Sequence, residues 1–99
     1  MNAALPIIEA LDRCACNAAR AAWLVRAPLK ILVLCEGTIR NRLTVAFFHD
    51  GIAYLEAELR DMDAWRRHDG LVSVDLLAAR GRMRALAGDL LLHDFEVLQ

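Results

Sequence analysis

LKILVLCEGTIRNRLTVAFFH, residues 29–49, is the stretch on which the fold class turns. Its two apolar runs, Ile31 to Cys35 and Leu43 to Phe48, are rich in strand formers, and Glu36-Gly37 between them would suit a hairpin turn. Neither run alternates cleanly with period two. Leu32, Cys35, Ile39, Leu43 and Ala46 instead recur at intervals of 3, 4, 4 and 3, which is helical spacing. Glu36 and Arg40 add an i,i+4 ion pair in the favourable order. The spacing predicts a helix; the alternative is an α+β fold with a hairpin at roughly 29–48.

Upstream, Ala27-Pro28 closes the preceding segment, because the residue before proline avoids the α region. From Pro6 to Arg26 the residues Ile8, Leu11, Ala15, Ala18, Ala22 and Val25 form a heptad seam, predicting one helix whose alanine centre admits a close neighbour. Downstream, Ile52, Leu55, Leu59, Met62 and Trp65 make one stripe, with Glu56–Arg60 and Asp63–Arg67 as pairs on the wet side. The last segment opens at Ser73, a good N-cap, and is read as a helix towards Leu98. Val72, Leu76, Ala79, Met83, Leu86, Leu90, His93 and Val97 form its first stripe, and Leu77, Ala87, Leu91 and Leu98 a second. Two stripes on one helix call for two packing partners. Gly81 and Gly88 share a face that another backbone could approach. The expected fold is therefore all-α: a single domain over 1–99, an antiparallel helical bundle of about four helices with short connections.

Composition narrows the function classes. The chain is 58% hydrophobic with a net charge of −1, which excludes disorder and a basic coat for nucleic acid. At this mass folding buries about 65% of the chain surface, enough for a core. The first residues, Met1 to Pro6, carry no Lys or Arg and do not read as a secretory signal, and the uncharged runs fall far short of the ~20 residues of a membrane span. A soluble cytoplasmic protein is expected. Cys14, Cys16 and Cys35 show no disulfide or metal-ligand spacing and read as small reduced apolar residues.

Each histidine precedes an aspartate: His49-Asp50, His68-Asp69 and His93-Asp94. Such dyads can hold a hydrolytic metal, and a metal-dependent hydrolase is one reading. The first two continue as His-Asp-Gly at the junctions between helical patterns, which suits helix punctuation better: His at a C-terminus, Gly left-handed beyond it. His93 lies on the inward stripe as a candidate polar core or pH-sensitive residue, with Asp89 one turn before it as a partner. Arg80, Arg82 and Arg84 are a concentrated basic cluster and support a second reading, a small DNA-associated regulator. They do not share one helix face, and Asp61, Asp63, Asp69 and Asp75 flank them, so nucleic acid is not the favoured partner.

No catalytic, metal or cofactor motif emerges. The leading expectation is a non-enzymatic helical interaction module, a homo-oligomer with a dimer favoured, or one bound to a helical protein partner. Its candidate interface residues are Leu11, Ala15, Ala18 and Ala22 on the first helix and Leu77, Ala87, Leu91 and Leu98 on the last. The 17 alanines and 17 leucines are more apolar material than 99 residues easily hide.

Overall fold

In the computed structural model, which describes residues 4–65 and 70–92, every regular element is helical. The elements are α1 (Ala4–Asp12), α2 (Asn17–Arg26), α3 (Leu29–Leu34), α4 (Glu36–Val45), α5 (His49–Asp63) and α6 (Val74–Ala87), followed by a 3₁₀ segment, Gly88–Leu92. Residues 29–45 are thus helical and the hairpin alternative falls. Leu32, Ile39 and Leu43 are buried, with Cys35 and Ala46 half-buried beside them, so the whole predicted stripe faces inward. The fold class is all-α, but the described residues form six α-helices, not four.

Two long predicted helices are divided. The first breaks between Asp12 and Asn17, and Cys16 becomes an extended N-cap of α2. A continuous helix would have presented a seam of Ala15 and Ala18, whose methyl groups bury little area. Folding back instead puts Ile8 and Leu11 of α1 into one core with Trp23, whose indole N–H donates to the Ile7 carbonyl at 2.9 Å. Arg20 clamps the turn, donating to Asn17 Oδ1 (2.8 Å) and to the Cys14 carbonyl (3.3 Å). The second break is a single residue, Cys35, between α3 and α4. Pro28 ends the α2–α3 connection where the sequence places a stop, with Ala27 extended before it.

α2 is the central element. Ala21, Ala22, Trp23 and Leu24 are consecutive and all buried, so more than a full turn is enclosed on every side. α6 and α5 pack against it, α1 covers one end, and the 3₁₀ segment lies along it. Leu24, Leu32, Ile39, Leu43, Leu55, Leu76 and Met83 are the largest side chains fully out of water.

The α4–α5 corner departs from the glycine punctuation expected at His49-Asp50-Gly51. Phe48 N–H donates to the Leu43 carbonyl (2.9 Å) and Phe47 N–H to Thr44 (3.0 Å), the paired bonds of a Schellman motif. Its left-handed position is held by Phe47, at φ 56°, not by glycine. His49, Asp50 and Gly51 form the first turn of α5 instead. Gly51 is small for another reason: a Cβ there would stand 2.6 Å from the Phe48 ring. In the second triplet, Gly70 does take a positive φ of 75°; His68 and Asp69 lie outside the described residues. α6 begins as expected, with Ser73 Oγ accepting from Leu76 N–H at 3.1 Å. It ends at Gly88, whose φ of 54° and ψ of −131° belong to glycine alone, short of the expected helix to Leu98.

Candidate interaction surface and a buried charge cluster

The face of α5 that turns inward is rotated about one position from the stripe read off the sequence. Gly51, Tyr54, Leu55, Glu58 and Asp61 are buried, Ile52 and Leu59 are half-buried, and Met62 and Trp65 stand in solvent. Two carboxylates therefore enter the interior. Glu58, 6% exposed, accepts two hydrogen bonds from Arg80 of α6, Nε to Oε2 at 2.9 Å and Nη2 to Oε1 at 3.0 Å, and a third from the Tyr54 hydroxyl. Asp61 accepts from the Ser73 backbone N–H at 2.9 Å, so the acid anchors the residue that caps α6. The pairs run in opposite directions along the chain, which makes α5 and α6 an antiparallel hairpin joined by an ion pair at one level and a carboxylate–backbone hydrogen bond at the other.

Tyr54, Glu58 and Arg80 line one wall of a cavity of about 220 Å³, faced by Val25, Leu29 and Leu32 and bordered by Arg84. Burial pushes the Glu58 carboxyl up, but hydrogen bonds from Arg80 and Tyr54 outweigh it and hold the acid below its ordinary range. Burial, then the bond to Glu58, pushes the Tyr54 phenol well above its usual range. A carboxylate so neutralised is a weak base, and a phenol so raised stays a donor. The arrangement braces two helices and holds no group poised for proton transfer.

Elsewhere on the helices the polar pairs are surface features. Arg40 bonds Glu36, as the spacing predicts, and also Glu56 across the α4–α5 boundary, both at 2.8 Å. Glu56 is thus engaged with Arg40 of another helix, where the sequence suggests Arg60. Arg42 reaches Asp12 at 2.6 Å. Exposed pairs of this kind each contribute well under about 1 kcal/mol.

The cysteines are free thiols, and burial pushes the Cys14 thiol up while its Sγ donates to the Ala10 carbonyl. Among the described residues no group of three or more His, Cys, Asp or Glu stands close enough to hold a metal. No helix among them is long and apolar enough to cross a membrane.

Of the candidate interface residues, Leu11, Ala22 and Ala87 sit in the core of this chain, Ala18 and Leu91 are half-buried, and Ala15 and Leu77 are exposed. Leu98 and His93 lie outside the described residues, as does any pairing of His93 with Asp89. Of the basic cluster, Arg80 is turned to Glu58, while Arg82 and Arg84 remain exposed on opposite edges of α6.

Among the described residues large apolar side chains stand in water in four places, one of them α3, where Leu34 is 65% exposed beside Leu29 and Val33. At the α4–α5 corner are Val45 and Phe47, the latter 78% exposed. Past the end of α5 is Trp65, 98% exposed, with Leu71 across the connection. On α6 are Val74 and Leu77, 67% and 52% exposed. Comparison with protein-family models, with curated proteins and with solved structures finds no match for this chain.

Proposed function

We propose that this protein is a non-enzymatic helical interaction module that works as a homo-oligomer, with a dimer favoured. The observation that carries the reading is the set of large apolar side chains left in solvent by a chain that otherwise packs well. Single exposed hydrophobics are ordinary, whereas several on neighbouring turns point to a covered surface. Phe47 adds weight. A bulky aromatic in the left-handed region costs on the order of 1 kcal/mol, and its ring contributes nothing to the core while 78% exposed. Aromatic residues that project from a rigid scaffold are the usual anchors of protein interfaces.

Size-exclusion chromatography with light scattering tests the reading. Twice the 11.1 kDa chain mass is expected at micromolar concentration. A clean monomer across that range sinks it.

A further inference from the structure

We infer that the solvent side of α6 is the self-docking surface of this protein, on which a second copy lays its own α6 antiparallel. The inference rests on the reading of the chain as a self-associating module and names the face. Val74, Leu77, Ala78, Gly81 and Ala85 recur at helical spacing, and all are exposed. They lie opposite Leu76, Ala79, Met83 and Ala87, which are buried against the rest of the fold. α6 is therefore apolar on two sides, and only one is covered by the described residues.

Gly81 sits in the middle of the open side. A Cβ there would meet nothing within 4 Å, so the glycine makes room for nothing among the described residues while weakening the helix that carries it. A backbone approaching from outside would account for it.

The charges bordering the stripe select the orientation. Asp75 and Arg82, seven residues apart, flank the same edge, and both are exposed. A parallel pair would carry the Asp75–Arg82 edges of the two copies to opposite flanks of the contact, where they cannot meet. An antiparallel crossing centred between Ala78 and Gly81 sets Asp75 of one copy beside Arg82 of the other, twice by symmetry. On the opposite edge the same crossing lays the aliphatic stem of Arg84 along Leu77 of the second copy. A two-fold contact of this kind closes on itself and stops at the dimer.

Light scattering and sedimentation on four variants test the surface, with circular dichroism as the folding control. Gly81→Gln meets no side chain among the described residues, so its helicity and its melting temperature below the dimer concentration range are not expected to fall, while its dimer weakens by about tenfold or more. Asp75→Arg and Arg82→Asp each weaken the dimer, and the double swap restores it to within about threefold of the native chain. A Gly81→Gln protein that dimerises like the native chain overturns the α6 surface and leaves the module reading standing. So does a double swap no tighter than the weaker single variant. A native chain that is monomeric overturns both.

Discussion

Glu58 and Arg80, 22 positions apart, meet through two hydrogen bonds of 2.9 and 3.0 Å, with the acid almost wholly out of water. Removing one member of such a pair strands the other's charge. Because the Arg80 side chain is 33% exposed, solvent relieves part of that cost, and Arg80→Ala is expected to lose about 2 kcal/mol. Glu58→Ala should lose a similar amount, and the double variant much less than the sum. Urea denaturation of the three proteins measures the coupling; strictly additive losses would show that the contact contributes nothing.

The same pair contributes to the acid limb of stability. With the folded-state value of Glu58 below its ordinary one, the native state binds fewer protons than the unfolded chain there. Its contribution is present above the ordinary glutamate range and is lost as pH falls through the depressed folded value. Glu58→Gln should therefore flatten the fall in urea midpoint below about pH 4.5. At the alkaline end Tyr54 works in the opposite sense: its raised value gives stability below the ordinary tyrosine range that is lost as pH climbs beyond it. Tyr54→Phe should cost about 1 kcal/mol at neutral pH and lessen that alkaline loss.

Neighbouring positions at the α4–α5 corner should respond with opposite signs. Phe47→Gly relieves the left-handed strain and is expected to raise stability by up to about 1 kcal/mol. Gly51→Ala drives a methyl group into the Phe48 ring and should destabilise by about 1–3 kcal/mol. Thermal melts decide both, and a stabilised Gly51→Ala protein would refute the packing account of that glycine.

The two glycines of the α6 region make a second such pair. Gly81→Ala places a better helix former in open space and should stabilise the isolated chain by about 0.5–1 kcal/mol. Gly88→Ala must hold a conformation that L residues avoid and should destabilise by about 1–3 kcal/mol. Denaturant midpoints below the dimer concentration range compare them directly.

At the start of α6, Ser73→Ala removes a capping oxygen and should cost about 1 kcal/mol. Asp61→Ala leaves the Ser73 N–H without its acceptor and is expected to cost at least as much, about 1–3 kcal/mol. If Asp61→Ala proves neutral in urea titrations, the acid does not anchor the helix.

Helix content and several boundaries were legible from residue order because their causes are local. Proline sterics act on Ala27, the Ser73 hydroxyl reaches only three residues on, and the spacing of Leu32, Ile39 and Leu43 separates helix from hairpin without reference to the rest of the chain. The rotation of α5 about its axis was not legible. Its apolar pattern points to Met62 and Trp65, but the buried face runs through Tyr54, Glu58 and Asp61, because Arg80 and the Ser73 backbone supply partners that let two acids leave water. The break after Asp12 has the same origin: a seam continuous in sequence is given up where Trp23 and Ile7 gain more by folding back. Phe47 shows the limit most sharply, since its neighbours Leu43 and Phe48 lock the corner and leave the aromatic to take the glycine position. Residue order settles where this chain is helical; which faces turn inward, and which acids go with them, depends on contacts between distant residues that no local pattern encodes.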